Sequence, residues 1–279
     1  MRENAFDNID KKLLENKGKI IHQIWYNFKN PDEEQPIPDK YKKLRESWKI
    51  NNPEWTHILW HDKMGDWLVY KHYPNFWETY SNYKYPIQRV DAIRLCILHR
   101  YGGIYADTDT ECFKPINSLI ESTKKNIAFG RCFNLLKIKK TKLSNYFMYS
   151  KPNENFWLNA IQGAISYGTC HNSIWYYTCI FNSAGPKRLQ KTSLSFKNDM
   201  IIFDPRDVGT MTQKQIQKNP DIVDSLFVLH KNYNEWVSND YFYYFGFSIL
   251  IIVLFVVLAM IISVKEIKRN YDNYNQITK

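Results

Sequence analysis

Two carboxylates one residue apart, Asp107 and Asp109, have the spacing in this sequence that most directly suggests chemistry. They follow the apolar run Ile104-Tyr105-Ala106, so they lie where a strand is expected to end and a loop to begin. Ligands of open α/β sheets bind at the carboxyl ends of strands, and Mg²⁺ and Mn²⁺ take oxygen ligands there while leaving places for a substrate phosphate. The pattern therefore predicts a divalent-metal site, although acidic pairs are also common on ordinary surfaces.

The segment before this strand carries a second charged pair. Asp91 and Arg94 are three residues apart, a step that brings side chains to one face of a helix. Val90, Ile93 and Ile97 fill the neighbouring face, so the pair lies near the boundary of a core. An arginine there can hold a phosphate, and an aspartate can accept hydrogen bonds from sugar hydroxyls. A local salt bridge on the helix surface is the alternative interpretation of this spacing.

Trp25 ends the first apolar run of the chain, Lys19 to Trp25, which predicts a strand after Gly18. A tryptophan in such a run usually belongs to the core. At the end of a strand, however, the indole can stack on a nucleotide base, and it would accept guanine and uracil alike. Trp25 is therefore a candidate for base binding that does not identify the nucleotide.

The elements that must position these residues alternate between strands and helices. One helix is predicted from an N-cap at Asp39 to Lys49, and a shorter one is predicted to be capped by Asp62. The clearest helix spans Ile87 to Tyr101, with apolar residues at three- and four-residue steps, and ends at Gly102-Gly103. The other predictions are strands at 55–60, 104–106, 127–130 and 201–203 and a helix at 156–167. This alternation predicts an α/β domain with a Rossmann-like, mixed and mostly parallel sheet.

Composition narrows the classes of function. The chain has 279 residues, of which 44% are hydrophobic and 16% aromatic, which excludes wholesale disorder. Its 38 basic residues outnumber 28 acidic ones and give a net charge of +10, a balance that suits nucleic acid, anionic lipid or phosphate-bearing ligands. Because the basic residues are scattered and no nucleic-acid-binding motif occurs, we expect no nucleic-acid partner.

The five cysteines lack the C-x-x-C spacing of a zinc ribbon or of a thioredoxin-type site. Their odd number also argues against a dense disulfide framework. Reduced structural thiols are therefore the expected state, and a single disulfide is the alternative.

A long apolar segment lies near the C-terminus. No charged residue occurs from Tyr241 to Val264, a stretch long enough to cross the hydrocarbon core of a bilayer. Tyrosines crowd its near end, where interfacial aromatic rings belong. A helix that is apolar all round over this length is rarely a buried core helix. The sequence therefore predicts a single transmembrane helix.

Two signals for the orientation of this span conflict. Lys265, Lys268 and Arg269 follow it, which favours a cytoplasmic C-terminus and a translocated N-terminal domain. The first thirty residues, however, contain no apolar signal segment, and the chain has no N-x-Ser/Thr acceptor. Because charge bias governs the translocation of large domains poorly, a tail-anchored domain facing the cytosol is slightly favoured.

The residues that could do chemistry also carry a resemblance. The run from Ile87 to Thr110 contains D-x-x-R followed by GGIYxDxD, and it closely resembles the sugar-binding region of DXD-containing glycosyltransferases. That group includes initiating α-1,6-mannosyltransferases, inositol phosphorylceramide mannosyltransferases and, more distantly, large glucosylating toxins. Three other stretches agree: Lys19 to Trp25 resembles the opening KIIHQIW, Trp48 to Asp62 resembles a W…NP.W…W.D segment, and Ser183 to Pro186 resembles a later TGP turn.

This resemblance implies a GT-A-type nucleotide-sugar-binding fold, a nucleotide-sugar donor and a divalent cation, Mn²⁺ or Mg²⁺. Carried over residue by residue, it implies that Asp109 binds the metal directly and that Asp107 contacts both the metal and the ribose or sugar. Asp91 and Arg94 would hold the transferred sugar and the diphosphate, which completes the catalytic set. Trp25 would stack on the base of the donor.

Three further residues are implied as contacts of the donor or the metal. Tyr105, inside the matching run, is assigned to donor binding. His230 and Trp236 resemble the H…W close of the family, with His230 as a metal or diphosphate ligand and Trp236 as a donor contact. Glu235 stands where the family often has a serine that contacts the diphosphate, so this chain departs from the pattern there. A structural role is the alternative for His230.

The resemblance and the apolar segment together divide the chain. Residues 1–18 form an N-terminal extension, residues 19–237 a GT-A glycosyltransferase domain, residues 241–264 the transmembrane helix and residues 265–279 a basic tail. We expect a nucleotide-sugar donor, a lipid or glycan acceptor and the membrane as partners.

The sequence thus predicts a single-pass, endomembrane (ER- or Golgi-like), metal-dependent and retaining glycosyltransferase. It would move mannose from GDP-mannose to a membrane-associated acceptor such as inositol phosphorylceramide or a glycan. Galactosyl, glucosyl or N-acetylglucosaminyl transfer from a UDP-sugar is the alternative among enzymes, and a catalytically inactive sugar-binding membrane scaffold is the alternative of another class. A scaffold would not require Asp91, Arg94, Asp107 and Asp109 together.

Overall fold

The computed structural model describes residues 2–27, 36–131, 143–170, 176–210, 221–233, 250–251 and 253–268. Contacts divide the chain into two compact units, Met1–Tyr233 and Asn234–Lys279. The first unit contains every residue of the predicted site except Trp236, which lies outside the described residues.

The first unit alternates short strands with helices. Its helices are α1 (Arg2–Glu15), α2 (Asp39–Asn51), α3 (Asp62–His72), α4 (Pro74–Ser81), α5 (Pro86–Tyr101), α6 (Asn117–Thr123), α7 (Asn155–Tyr167), α8 (Tyr176–Ser183), α9 (Pro186–Thr192) and α10 (Ile222–Ser225), and a 3₁₀ turn spans Ser193–Ser195. Its strands are β1 (Ile20–Ile24), β2 (Thr56–Trp60), β3 (Gly103–Ala106), β4 (Thr110–Cys112), β5 (Ile127–Arg131), β6 (Leu143–Ser150), β7 (Met200–Ile202), β8 (Val208–Thr210) and β9 (Val228–His230).

The main sheet has six strands in the order β2-β1-β3-β6-β5-β7. The β1 strand is parallel to β2 and β3, and β5 is parallel to β7. The β6 strand runs antiparallel to its neighbours β3 and β5. The α/β class and the mixed, mostly parallel sheet predicted from the sequence are therefore confirmed. All residues of β1 and β3 are buried, as expected of central strands covered on both faces.

A second sheet, in the order β4-β9-β8, begins directly after the DXD motif. Its β4 and β9 strands pair antiparallel, with Thr110 opposite His230. This ladder brings His230, near the end of the unit, close to Asp109, which lies more than a hundred positions earlier in the sequence. The second sheet therefore assembles one side of the candidate site.

The α5 helix is the buried centre of the unit. It is covered on most of its circumference, and its charged residues Asp91 and Arg94 are buried with it. The helix ends at Gly102, whose φ of 65° is in the left-handed region that favours glycine. A Cβ there would lie 2.6 Å from the backbone nitrogen of Pro152. The predicted Gly-Gly end of this helix is confirmed, and crowding by the neighbouring loop explains why it requires glycine.

Several predicted boundaries need correction, among them that of the first strand, which is Ile20–Ile24 and ends before Trp25. Asp39 and Asp62 are not N-caps: the caps are Pro38 and His61, neither of which forms a side-chain capping hydrogen bond. Each aspartate is instead the first helical residue, where its negative charge faces the positive end of the helix dipole. The strand predicted at 201–203 is Met200–Ile202, because its ladder with β5 begins one residue earlier.

The segment predicted as an N-terminal extension contains α1, which the sequence analysis did not predict. Its Asp10 is buried and accepts hydrogen bonds of 2.6 Å from Arg100 and from the hydroxyl of Tyr101, at the end of α5. Leu13 is buried as well. The α1 helix therefore packs onto the same compact unit as the rest of residues 1–233.

The four cysteines within the described residues are in two states. Cys96 and Cys112 are free and buried, as expected of structural thiols. Cys170 and Cys179 form a disulfide, so the expectation of reduced thiols is wrong for this pair. The reason is local: α7 ends at Tyr167 with Gly168 as its C-cap, and α8 returns so that the two Cα atoms lie 5.8 Å apart, within the range that a disulfide spans.

In the second unit, residues 250–251 and 253–268 are helical and their side chains are exposed. Within the described ranges, no helix combines the length and the apolar character needed to cross a membrane. Residues 241–249 and 252 of the predicted span lie outside those ranges. The transmembrane helix at 241–264 therefore stays a prediction.

Candidate active site

The centre of the site is an arginine that bridges two carboxylates. Arg94 Nη1 lies 2.9 Å from Asp91 Oδ1, and Arg94 Nη2 lies 3.0 Å from Asp107 Oδ1. Asp91 and Arg94 are only 4% and 6% exposed, which excludes the alternative of a solvated salt bridge on a helix surface. The bridge joins α5 to the loop that follows β3, so the two charged pairs found in the sequence form one constellation.

Tyr105 contacts both Arg94 and Asp107 of this bridge. Its ring centroid lies 4.7 Å from the guanidinium carbon of Arg94, and its hydroxyl donates a hydrogen bond of 2.5 Å to Asp107 Oδ1. The side chain is 1% exposed. Tyr105 was assigned to donor binding, and the structure places it in the core as a support for Arg94 and Asp107.

The second half of the site is built around Asp109. Its Oδ1 lies 3.2 Å from His230 Nε2, and its Oδ2 accepts a hydrogen bond of 3.0 Å from the backbone N–H of Tyr233. Its carbonyl oxygen accepts another, of 2.9 Å, from the N–H of Lys231. The segment after β9 thus fixes both the backbone and the carboxylate of Asp109.

Asp107, Asp109 and His230 have the geometry of a metal site. Each contributes one ligand atom, and the three atoms lie within 4.8 Å of one another. Two carboxylate oxygens and an imidazole nitrogen suit Mn²⁺ or Mg²⁺, and three protein ligands leave coordination positions for substrate oxygens. The residues present therefore fit the divalent cation that the resemblance implies.

Burial sets the charge properties of the carboxylates. Burial raises the pKa of Asp91 to about 6, against the lowering effect of Arg94. It also raises the pKa of Asp107, with Arg94 opposing the shift and Asp109 adding to it. At Asp109 burial acts in the same direction, but the interaction with His230 and the hydrogen bond from the backbone N–H of Tyr233 together lower the pKa. A cation bound between Asp107 and Asp109 would favour the ionised form of both.

Trp25 lies on an aromatic wall formed with Tyr41 and Tyr233. The ring centroids of Trp25 and Tyr41 are 4.8 Å apart, and those of Tyr41 and Tyr233 are 5.6 Å apart. Lys40 Nζ lies 4.9 Å from the ring centroids of Tyr41 and Tyr233. Because the N–H of Tyr233 binds Asp109, this wall is continuous with the carboxylates. Trp25 is half-buried, and its stacking on a base stays a prediction.

The turn Ser183–Pro186 closes the site beside Asp91. A Cβ on Gly185 would lie 2.9 Å from Asp91 Oδ2, so only glycine leaves this carboxylate its room. Pro186 then begins α9 at a position where a missing N–H costs nothing. The TGP-like stretch of the sequence is thus brought against the buried charge pair.

The sequence analysis missed two residues of β6 that touch the site. Asn145 Nδ2 donates a hydrogen bond of 2.9 Å to Asp91 Oδ1. The ring of Tyr146 stacks on that of His230, with centroids 4.4 Å apart and planes 10° apart. Tyr41 and Tyr233 of the aromatic wall were missed as well. No motif or periodicity marked these four positions.

Comparison with known proteins supports the resemblance to DXD-containing glycosyltransferases. A family model described as "Glycosyltransferase sugar-binding region containing DXD motif" matches residues 38–125. Mannosyl phosphorylinositol ceramide synthase CSH1 of Saccharomyces cerevisiae is 38% identical over 199 residues, which cover 68% of this chain and 48% of that protein. The initiation-specific alpha-1,6-mannosyltransferase of Candida albicans is 31% identical over 104 residues, which cover 36% of this chain and 27% of that protein. The chain therefore spans about half, or less, of the length of these relatives.

Among solved structures, the PaToxG glycosyltransferase covers 69% of this chain and 78% of its own, with a TM-score of 0.46 and 16% identity. The matched family region contains Asp91, Arg94, Asp107 and Asp109, the residues that the fold brings together. The resemblance seen in the sequence is confirmed. Residues 38–125 of this chain therefore match the family of glycosyltransferase sugar-binding regions that contain a DXD motif.

Proposed function

We propose that the protein is a metal-dependent, retaining glycosyltransferase that moves mannose from GDP-mannose to a membrane-associated acceptor. One observation carries this proposal: Arg94 joins Asp91 to Asp107 in a buried bridge, and Asp107 lies beside Asp109 and His230 in a group able to hold a divalent cation. A scaffold that only bound sugar would not need to bury these charges together, because burying them costs free energy unless they are paired.

The bond to be broken joins the anomeric carbon of the sugar to a phosphate oxygen, and negative charge develops on the departing diphosphate. A divalent cation held by Asp107, Asp109 and His230 would neutralise that charge. Arg94 holds Asp91 and Asp107 in fixed positions before the donor binds, so little reorganisation is needed during the reaction. With its pKa raised only to about 6, Asp91 is mostly ionised at neutral pH and can accept hydrogen bonds from sugar hydroxyls.

We assign no enzymatic nucleophile. The proposed transfer is a front-face attack, in which the acceptor hydroxyl bonds to the anomeric carbon as the diphosphate leaves from the same face. The acceptor proton passes to an oxygen of the diphosphate, so atoms and charge balance without a covalent enzyme intermediate. Trp25 would stack on the base and hold the donor in place during this step.

A lipid acceptor of the inositol phosphorylceramide type is the proposed substrate. The support is the similarity to the mannosyl phosphorylinositol ceramide synthase CSH1 and the predicted membrane span at 241–264. An enzyme tethered to the bilayer meets a lipid acceptor at a raised effective concentration. A membrane-associated glycan is the related alternative, which a comparison of acceptors would distinguish.

We further propose a single-pass endomembrane location with the catalytic domain on the lumenal side. Two independent features support this orientation over the cytosolic one that the sequence slightly favoured. Disulfides such as Cys170–Cys179 persist in oxidising compartments and are rare in the cytosol. The basic residues Lys265, Lys268 and Arg269 favour a cytoplasmic C-terminus. Protease protection of the domain in intact vesicles is the expected result, and digestion of the domain without detergent would contradict it.

A donor screen tests the proposed activity. Purified protein is incubated with GDP-mannose, UDP-galactose, UDP-glucose or UDP-N-acetylglucosamine, with Mn²⁺ or with EDTA, and released nucleoside diphosphate is measured. We expect Mn²⁺-dependent turnover of GDP-mannose above that of the UDP-sugars. Preferential turnover of a UDP-sugar would replace the mannosyl assignment with another hexosyl transfer. Binding of Mn²⁺ without turnover of any donor, with and without acceptor lipid, would favour the scaffold.

A further inference from the structure

The β6 strand contains an irregularity beside the site. On β5, Phe129 pairs with Met148 and the next residue, Gly130, pairs with Ser144, so residues 145–147 of β6 lie between two successive partners. On its other edge β6 stays paired with β3, where Phe147 lies opposite Ala106. Such bulges bend a strand locally and redirect its side chains, and they are frequent next to active sites.

This bulge sends two consecutive side chains to the two halves of the site. Asn145 Nδ2 donates a hydrogen bond of 2.9 Å to Asp91 Oδ1, while the Tyr146 ring stacks on His230 at 4.4 Å. The main chain takes part too, because the N–H of Asp107 donates a hydrogen bond of 2.8 Å to the carbonyl oxygen of Tyr146. A two-residue stretch therefore contacts the sugar-side carboxylate, the DXD backbone and the histidine of the metal group.

Tyr146 is itself firmly held. It is 3% exposed, and its hydroxyl lies 3.3 Å from the carbonyl oxygen of Val208 and 3.4 Å from that of Arg131. A Cβ on Gly130 would lie 2.9 Å from its ring, so the glycine at the bulge leaves the space that the tyrosine occupies. The ring is thus a fixed platform rather than a mobile surface side chain.

The platform determines the plane of the His230 ring. The imidazole lies parallel to Tyr146, its Nδ1 is 3.4 Å from Thr210 Oγ1, and its Nε2 is directed to Asp109 at 3.2 Å. Partners of a ligating histidine fix its orientation, and their loss typically weakens metal binding. Asn145 acts at the other half, where its amide fixes the Asp91 oxygen that also binds Arg94.

We propose that the β6 bulge is the positioning device of the site, with a division of labour: Tyr146 orients His230 for the cation, and Asn145 orients Asp91 for the sugar. This inference rests on the proposed function, which gives His230 and Asp91 those tasks. It assigns two residues that no motif or comparison marks, and it makes them positioning residues because each acts through another side chain.

Metal binding tests the Tyr146 half without any turnover. The Mn²⁺ dissociation constant is measured from the electron paramagnetic resonance signal of free Mn²⁺. We expect Tyr146→Leu to raise it about tenfold, whereas Tyr146→Phe keeps the stacked ring and stays within about twofold of wild type. Tyr149→Leu is the matched control, because Tyr149 sits on the same strand in the regular ladder. Unchanged binding in Tyr146→Leu, or equal weakening in Tyr149→Leu, would overturn the assignment.

Donor turnover tests the Asn145 half. We expect Asn145→Ala to lower kcat/KM for the donor about tenfold while the Mn²⁺ dissociation constant stays within about twofold of wild type. Asn145→Asp should lower kcat/KM for the donor further, because a second carboxylate would face Asp91. Thermal unfolding curves verify that each variant is folded. Loss of metal affinity in Asn145→Ala equal to that in Tyr146→Leu would contradict the division.

The two proposals fail in different ways. If wild-type protein turns over no donor but binds Mn²⁺, the proposed function fails, while the contrast between Tyr146→Leu and Tyr146→Phe still decides the Tyr146 assignment. If wild type is active and neither variant series separates metal affinity from turnover, the positioning device fails and the proposed function stands.

Discussion

The two halves of the candidate site are held by different physical means. The half that contains Asp91, Arg94 and Asp107 is embedded in the main sheet and its central helix, where the buried Arg94 pairs with the buried Asp91 and the partly exposed Asp107. The half that contains Asp109 and His230 rests on three-residue strands of the small sheet, and its histidine is held by the stacked ring of Tyr146 and by contacts with Thr210 and Asp109. We therefore expect changes in the first half to cost more unfolding free energy than changes in the second.

The largest expected effect separates function from folding at Asp109. Asp109→Asn should lower Mn²⁺-dependent donor turnover about 10³-fold, because it removes a metal-binding charge, and should leave the unfolding midpoint nearly unchanged. Glu111→Gln is the matched control, since Glu111 pairs with Lys231 two residues further along β4 and outside the metal group. Turnover near wild type in Asp109→Asn would refute the metal assignment.

Arg94 should show the opposite behaviour, with a large effect on folding. Arg94→Leu leaves Asp91 and Asp107 buried without their cation and should cost about 3 kcal/mol of unfolding free energy, as well as activity. Urea denaturation followed by circular dichroism gives the value. Arg206→Leu breaks an exposed pair with Asp204 and should not change the midpoint measurably. Equal midpoints for the two variants would show that the first half is not a core-dependent structure.

The buried His22 of the main sheet should make the free energy of unfolding depend on pH. His22 is fully buried; its Nδ1 accepts a hydrogen bond from Trp60 and its Nε2 donates one to the carbonyl oxygen of Gly102. Burial lowers its pKa to about 3 from an ordinary value of 6.5. Between these two pH values the unfolded chain is protonated at His22 and the folded chain is not. The free energy of unfolding is therefore highest above pH 6.5 and falls as the pH drops toward 3.

By pH 5 this single group should cost about 2 kcal/mol of unfolding free energy. His22→Gln should flatten the dependence between pH 7 and pH 5, at the expense of stability at pH 7. His57→Gln, at a half-exposed position on the neighbouring strand, should keep most of the slope. Urea titrations at several pH values measure the effect, and an unchanged slope in His22→Gln would contradict it.

The smallest expected effect concerns the disulfide. The amide of Gln88 contacts Ser183 at 3.1 Å and both sulfurs at 3.5 Å, one turn before Asp91 on α5. Replacing both Cys170 and Cys179 by serine should cost about 2 kcal/mol, with donor turnover changed only a few-fold. Cys96→Ser, a buried free thiol, provides the comparison. Loss of all turnover in a folded double variant would mean that the first half depends on this bond.

Sequence patterns predicted the first half better than the second. The α5 helix has strong apolar periodicity, its Gly-Gly end is a local signal, and β3 follows as a short apolar run, so the positions of Asp91, Arg94 and Asp107 on these elements could be predicted. The β6 strand was not predicted, because its bulge interrupts the alternation by which a strand is recognised. The β4, β8 and β9 strands have three residues each, too few for a periodic pattern.

Individual side-chain contacts were harder still to predict from the sequence. The family resemblance marked His230 but could not show that Tyr146 would stack on it, because that contact joins strands of different sheets. Tyr105 lies in the run that resembles the family's donor-binding region. Its side chain is nevertheless buried with the rest of β3, and its hydroxyl donates a hydrogen bond to Asp107. The caps at Pro38 and His61 depend on backbone angles rather than on residue type.

Gly102 alone separates the last residue of α5 from the first residue of β3. So short a covalent link leaves no slack between Asp91, which would meet the sugar, and Asp107, which would meet the cation. Because no flexible loop lies between them, the helix and the strand themselves set the spacing of the two carboxylates. One inserted residue at this joint should therefore displace Asp91 relative to Asp107 and lower donor turnover.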